Sequence, residues 1–219
     1  MTARIPHCAL LLAALSLLPA CELFQGADTG DGGWVSLFDG ESLEGWTSSD
    51  ETPGCFSVKD GSIVVEGGRA HLFYSGPVED ARFENFEFQA DVMTFTGANS
   101  GLYFHTEFQK EGWPSKGYEA QVNNSHRNKN RTGSLFGVKN IEETDAEDEK
   151  WFNYHLAVEG KRIVVRIDGE TVVDYTEPEN PERRPNMAGR LLGSGTFAIQ
   201  AHDPTCKVHY KNIRVKPSP

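Results

Sequence analysis

The chain has 219 residues, with 32 acidic and 21 basic side chains and a formal net charge of −11 at pH 7. This balance argues against a nucleic-acid partner, because a polyanion would be repelled and no concentrated basic patch offsets the charge. The 22 glycines and 11 prolines favour a chain with many turns.

The first 20 residues have the pattern of a signal peptide. Arg4 and His7 precede an apolar run at 8–18, which is too short to span a bilayer, since a spanning helix needs ~20 apolar residues. The following Leu-Pro-Ala leads into Cys21, and this pattern resembles the bacterial lipobox. We predict lipidation of Cys21 and a location in the bacterial cell envelope, lipid-anchored and facing the periplasm or exterior. The alternative is an ordinary soluble secreted protein.

Residues 21–33 follow as a segment rich in glycine and aspartate, which cannot bury enough apolar surface to fold. We predict that it is a flexible tether. Residues 34–219 are long enough for one all-β domain, and no second domain is indicated.

Most segments of this domain alternate between apolar and polar residues, as strands with one buried face do. The alternation is regular at 85–92 and 162–168, and turn signals such as Glu159-Gly160-Lys161 and Asp168-Gly169 separate successive strands. No stretch has a helical repeat of apolar residues. The sequence therefore predicts an all-β, two-sheet antiparallel sandwich of the jelly-roll type, with a concave outer face.

Apart from Cys8 in the leader and the predicted lipidation site Cys21, the chain has two cysteines. Cys55 precedes an early strand and Cys206 precedes the last one, and an exported chain permits a disulfide between them. Such a bridge would close a loop of roughly 150 residues, which the chain-entropy model values at about 4–5 kcal/mol. Two free buried thiols are the alternative.

Polar side chains gather on one face of three predicted strands. In the runs 99–106, 118–124 and 195–202, residues such as Leu102, Ala120 and Ile199 would enter the core, and the alternate positions would face outward. Carboxylate, amide, imidazole and phenol groups on one sheet hydrogen-bond a sugar and move its protons. The outward positions are Asn99, Tyr103, His105, Glu119, Gln121, Asn123, Gln200 and His202. Trp113, between the first two runs, either stacks on a sugar ring or anchors its loop.

No familiar catalytic motif is present, and ordinary two-carboxylate glycoside hydrolysis is poorly supported, because the face around Glu119 offers no second carboxylate. Seven sequence motifs nevertheless follow one another in the order seen in the 3-keto-disaccharide hydrolase family, and the chain resembles that family in this respect. These motifs are 34–46, NSGLYFH at 99–105, GYEAQ at 117–121, TGSLF at 132–136, the segment 151–175, QAH at 200–202 and YKNI at 210–213.

The resemblance implies a concanavalin A-like lectin/glucanase fold and cleavage of 3-keto-glycosides. A ketone at C3 acidifies the C2 hydrogen, so that one base removes it, the enolate expels the C1 group and water then adds. The candidate bases are His105, Glu119 and His202. Substrate contacts are expected from Asn99, Tyr103, Trp113, Gln121, Asn123 and Gln200.

The expected partners are a carbohydrate substrate and, through the lipid, a membrane; no protein partner is predicted. The cofactor is unknown, and no metal site is assigned. A divalent ion held by Glu119 with His105 or His202 would serve the same chemistry, although no ligand spacing requires one. The alternative function is a non-catalytic carbohydrate-binding lipoprotein that uses the same face.

Overall fold

The computed structural model describes Met1 and residues 32–219. Apart from Met1, the predicted signal peptide lies outside these residues, as do Cys21, where lipidation is predicted, and nearly all of the predicted tether. The described part contains two short 3-10 helices, Val78–Ala81 and Pro185–Met187, and no helix in it is long and apolar enough to cross a membrane.

Thirteen strands of the described chain form two antiparallel sheets. The larger sheet has the order β11-β10-β9-β6-β13-β4-β3, with β1 also paired to β13. Its strands are β1 (Val35–Ser36), β3 (Phe56–Lys59), β4 (Ser62–Glu66), β6 (Asn85–Thr94), β9 (Phe152–Glu159), β10 (Arg162–Ile167), β11 (Glu170–Thr176) and β13 (Lys207–Ser218).

The smaller sheet has five strands in the order β2-β5-β12-β7-β8. These are β2 (Trp46–Ser48), β5 (Ala70–Tyr74), β7 (Ser100–Thr106), β8 (Tyr118–Val122) and β12 (Thr196–Ala201). The predicted all-β sandwich of two antiparallel sheets is confirmed. The three predicted polar strands are neighbours in this sheet, because β12 pairs with β7 and β7 pairs with β8.

The core lies between the two sheets and follows from the alternation of side chains along each strand. In β6, Phe86, Phe88, Ala90 and Val92 are buried, while the residues between them are partly exposed. Phe197 of β12 meets this row from the smaller sheet, with its ring centroid 4.9 Å from those of both Phe86 and Phe88. Burial of such aromatic rings supplies the main apolar contribution that holds the sheets together.

The predicted disulfide is absent, and the structure shows the alternative of two free buried thiols. The reason is the strand order, because β4 lies between β3 and β13. The Cys55 carbonyl accepts a hydrogen bond from Glu66 N, while the Cys206 carbonyl accepts one from Gly67 N. Positions separated by a whole strand are about 10 Å apart, and a disulfide needs Cα atoms within ~7 Å. Burial raises the pKa of Cys206 to about 12, which keeps this thiol protonated.

Glycine packing brings the loop after β7 against the long connection between β11 and β12, residues 177–195. A Cβ atom at Gly117 would lie 2.0 Å from the Phe104 carbonyl oxygen, and one at Gly189 would lie 1.9 Å from the Ser115 carbonyl oxygen. The Gly117 amide also donates to the Gly189 carbonyl at 2.9 Å. Only glycine permits these approaches, so Gly189 lets the 177–195 segment pack against the loop 107–117, and Gly117 lets the end of that loop pack against β7.

We expect Gly117→Ala to destabilise the domain far more than Gly160→Ala. Both glycines have a positive φ, of 73° and 53°, but a Cβ at Gly160 meets no atom within 4 Å. The left-handed backbone conformation should lower the free energy of unfolding of both alanine variants by about 1–2 kcal/mol. Overpacking should lower it by roughly 1–3 kcal/mol more in Gly117→Ala only. Urea unfolding of the two variants measures the difference, and equal losses of unfolding free energy would contradict the close packing at Gly117.

Candidate functional site

A cleft of about 680 Å³ lies on the outer face of the smaller sheet. Its floor comes from outward-facing side chains of β7, β8 and β12, and its walls come from the loop 107–117 and the 177–195 segment. We call it the main cleft. Its lining includes the sequence-predicted residues Asn99, Tyr103, Trp113, Glu119, Gln121, Gln200 and His202.

The floor of the main cleft is a connected polar network centred on Glu119. Tyr103 Oη donates to Glu119 Oε2 at 2.8 Å, and Gln200 Nε2 donates to Glu119 Oε1 at 3.1 Å and to Tyr103 Oη at 2.9 Å. Arg190 approaches from the 177–195 segment, with Nη2 3.3 Å from Glu119 Oε2. The absence of a side chain at Gly101 makes room here, because a Cβ would lie 3.0 Å from Glu119 Oε1.

The charges of Glu119 and Arg190 are almost fully removed from water, since the two residues are 5% and 6% exposed. Burial raises the pKa of Glu119, while Arg190 and the hydrogen bonds from Tyr103 and Gln200 act in the opposite direction. Removing either partner would leave an uncompensated buried charge, which costs ~3–5 kcal/mol. The pair therefore holds the 177–195 segment on the sheet and places a positive charge at the floor of the cleft.

Two amides continue the floor beyond Glu119. Gln121 Nε2 donates to Asn99 Oδ1 at 2.6 Å and to the Ser100 carbonyl at 3.0 Å. Both side chains line the main cleft. Their role in binding hydroxyl groups stays a prediction.

His202 lies at the rim of the main cleft and is oriented by its neighbour. Its Nδ1 is 2.8 Å from Asp203 Oδ2. Burial opposes ionisation of Asp203, but hydrogen bonds from Thr205 and His202 lower its pKa to about 2. An ionised carboxylate only accepts hydrogen bonds, so Nδ1 donates to Asp203, and in the neutral form of the ring the lone pair then lies on Nε2. No residue in the described part of the chain hydrogen-bonds Nε2.

Trp113 contacts His202 at the same rim. The ring centroids are 5.1 Å apart with an interplanar angle of 35°, and Arg69 lies over the indole at 5.3 Å. Trp113 is 41% exposed. It thus forms a wall beside His202, and it also covers the fully buried His71, whose ring is 5.6 Å away.

His105 does not share this face, and the expectation from strict alternation is wrong at this position. Its φ of 55° and the register shift between β7 and β12 mark a bulge that turns the side chain toward Phe86 of the other sheet, with ring centroids 5.7 Å apart. Gly193 N donates to Nδ1, so Nε2 donates to the Glu84 carbonyl at 2.9 Å. Both ring nitrogens are therefore used in binding backbone.

Asn123 also lies away from the main cleft. It follows the end of β8, and its side-chain amide donates to the carbonyls of Asn128 and Asn130 at 2.8 Å. Its Oδ1 accepts from His126 N. The side chain thus organises the loop after β8 and has no free group for a substrate.

Arg190 is the main functional residue that the sequence analysis missed. It belongs to a segment without period-2 alternation, and it meets Glu119 across 71 positions of the chain. Its backbone is held by Arg183, whose Nε donates to the Arg190 carbonyl at 2.7 Å. Arg183 Nη2 in turn lies 3.5 Å from Oε2 of the buried Glu177, and this oxygen also accepts a hydrogen bond from Tyr118 Oη. The only sequence signal was an arginine between Gly189 and Gly193, which is too weak to identify a site.

No group of three His, Cys, Asp or Glu side chains within residues 32–219 is arranged to hold a metal ion. The suggested pairing of Glu119 with His105 is not formed, because the bulge turns His105 away. Glu119 and His202 remain the pair of candidate catalytic groups that share the main cleft.

Solved structures with this fold include carbohydrate-related proteins. A putative glycosyl hydrolase from Parabacteroides distasonis superposes with a TM-score of 0.72 at 19% identity, covering 86% of this chain and 95% of that one. The carbohydrate-binding module CBM66 from Bacillus subtilis gives 0.55 at 14% identity, covering 78% and 95%. The exoplasmic/lumenal domain of VIP36, in a Ca²⁺/Man3GlcNAc-bound form, gives 0.55 at 11% identity, covering 86% and 90%.

These similarities concern the fold. No curated protein is similar enough to this chain in sequence to count as a match. Residues 33–216, however, match the sequence family described as the 3-keto-alpha-glucoside-1,2-lyase-like domain. Because this match covers most of the chain, including every strand from β1 to β12 and most of β13, the protein belongs to the 3-keto-alpha-glucoside-1,2-lyase-like family.

Proposed function

We propose that this protein cleaves 3-keto-glycosides by removing the C2 proton and eliminating the C1 substituent, after which water adds to the product. The observation that carries the proposal is the convergence of an oriented histidine, His202, and a buried Glu119–Arg190 network in one cleft. Family membership supports the substrate class.

The proposed chemistry begins at C2, next to the ketone. His202 Nε2 accepts the C2 proton, and the C–H bonding electrons form an enolate whose negative charge lies on the C3 oxygen. The C3 carbonyl then re-forms, a C1=C2 double bond appears, and the C1–O bond breaks. The leaving oxygen takes up a proton, and addition of water across the double bond completes hydrolysis.

Asp203 acts as a positioning residue in this scheme. By accepting the Nδ1 proton of His202, it selects the tautomer in which Nε2 is the base, and it stabilises the imidazolium that forms. His105 has no part in the proposal, because both its nitrogens bind backbone.

The floor network has the electrostatic role. Arg190 lies over the Tyr103 ring at 5.1 Å and brings a positive charge next to the phenol. A fixed cation and oriented donors in a water-poor site favour an enolate much more than water does. Glu119 holds Arg190 and Tyr103 in this arrangement, while Asn99 and Gln121 offer polar groups to the sugar hydroxyls.

We also propose that the domain acts at a bacterial membrane surface, facing the periplasm or exterior, carried by a lipid on Cys21. The support is the apolar leader and the Leu-Pro-Ala-Cys pattern. Fatty-acid labelling of the full chain, compared with Cys21→Ser, tests this. Equal labelling of both would contradict it.

A non-catalytic carbohydrate-binding role is the second candidate. Two of the proteins that share the fold are a carbohydrate-binding module and a domain solved with bound oligosaccharide. Binding of a 3-keto-glycoside without turnover would favour this role.

We expect His202→Ala and Glu119→Gln each to lower kcat/KM for a chromogenic 3-keto-glucoside by at least ~10²-fold, since the first removes the proposed base and the second removes the carboxylate that holds Arg190 and Tyr103 in place. His209→Ala, at a histidine of the larger sheet, is the matched control and should retain full activity. Thermal unfolding monitors the fold. Full turnover by both cleft variants would contradict the assignment.

Asp203→Asn should lower kcat by roughly 10²- to 10⁴-fold, because an amide can donate to Nδ1 and stabilise the wrong tautomer. The measurement is kcat with ¹⁵N NMR of the His202 ring. In the native protein the proton should lie on Nδ1 and in the variant it should shift to Nε2. An unchanged tautomer with reduced kcat would show that Asp203 acts in another way.

A further inference from the structure

A second cavity adjoins the main cleft on the far side of Trp113 and His202. It measures about 570 Å³, and these two side chains line both cavities. We call it the side pocket. Its remaining lining residues are Asp50, Glu51, Thr52, Arg69 and Glu111.

The walls of the side pocket are held by backbone contacts. Asp50 N donates to the Lys110 carbonyl at 2.8 Å, which joins the segment after β2 to the loop 107–117. Thr52 Oγ1 donates to the Arg69 carbonyl at 2.8 Å. The first bond brings Asp50 next to Glu111, so that both carboxylates line the same part of the side pocket.

The side pocket is acidic. It contains three carboxylates and one guanidinium, and Arg69 Nε already binds Glu51 Oε1 at 2.5 Å. His71 lies behind Glu51, with Nδ1 3.6 Å from Oε2, but burial lowers its pKa to about 4 and keeps it neutral near pH 7. The charge of Arg69 is thus already paired with Glu51, and Asp50 and Glu111 add negative charge to the lining of the pocket.

We propose that the side pocket is the subsite for the leaving group, and that it selects a neutral, hydroxyl-bearing ring over an anionic one. This inference rests on the proposed function. C1 is bonded to C2, so the C1–O bond that breaks lies close to His202, and His202 borders both cavities. The keto sugar then occupies the main cleft, and the group attached through the C1 oxygen enters the side pocket.

The chemistry of the lining determines the class of leaving group. Carboxylates accept hydrogen bonds from sugar hydroxyls, and charge-assisted bonds of this kind are roughly twice as strong as neutral ones. An anionic ring would meet like charges at Asp50 and Glu111, which disfavour it. Trp113 adds an apolar edge shared by both subsites.

The test compares a 3-keto disaccharide with methyl 3-keto-glucoside, which has no ring for the side pocket. Asp50→Asn and Glu111→Gln should each lower kcat/KM for the disaccharide by about fivefold, because a charged acceptor becomes a neutral one. The methyl glycoside should change by less than about twofold. Glu107→Gln is the matched control, since Glu107 is exposed on the same loop and lies outside the lining.

The outcomes separate the two claims. Equal effects of a variant on both substrates, or no effect on either, would overturn the leaving-group subsite while the proposed function stands. No turnover of either substrate by the native protein would overturn the proposed function and this subsite with it.

A second comparison tests the charge selectivity with two aryl 3-keto-glucosides of similar size, 4-hydroxymethylphenyl and 4-carboxyphenyl. The native protein should have a lower KM for the glucoside with the neutral aglycone than for the one with the anionic aglycone. Glu111→Gln should reduce the ratio of the two KM values. Raising the salt concentration should reduce this ratio as well, since partly exposed charges are screened. An equal KM for both aglycones at low salt would overturn the proposed selectivity.

Discussion

The buried pair of Glu119 and Arg190 is the interaction on which the site depends. Glu119 is fixed by its position in β8, but Arg190 belongs to a segment with little regular structure. An ionised carboxylate at this depth needs a partner, because leaving it unpaired costs ~3–5 kcal/mol, and Arg190 supplies that partner from the 177–195 segment. The 177–195 segment therefore closes over the smaller sheet and becomes a wall of the main cleft.

Contacts on both sides of Arg190 make this closure specific. Arg183, which contacts Glu177, holds the Arg190 carbonyl, and the missing side chain at Gly189 allows the segment to approach Ser115 closely. The cleft thus has two kinds of support. The sheet fixes Tyr103 and Gln200 through strand pairing, whereas the segment is fixed through buried charges and glycine packing.

Much of the fold and part of the site followed from alternation along the strands. Tyr103, Glu119 and Gln200 lie together because neighbouring antiparallel strands present alternate residues to the same face, and this was predictable. His105 was assigned wrongly, because the bulge in β7 reverses the facing of one residue and leaves no clear sequence signal. The disulfide prediction was wrong for a topological reason. The position of β4 between β3 and β13 in the sheet could not be foreseen from the sequence.

Arg190 marks the limit of such reasoning, because a contact made by an irregular segment across 71 positions has no periodicity to reveal it. The central claim is removal of the C2 proton by a group in the main cleft. The most direct measurement uses a 3-keto-glycoside deuterated at C2, with turnover rate and product label followed together. The account predicts a primary isotope effect on cleavage and loss of the deuterium to solvent. Cleavage at an unchanged rate, with the C2 deuterium fully retained, would contradict it.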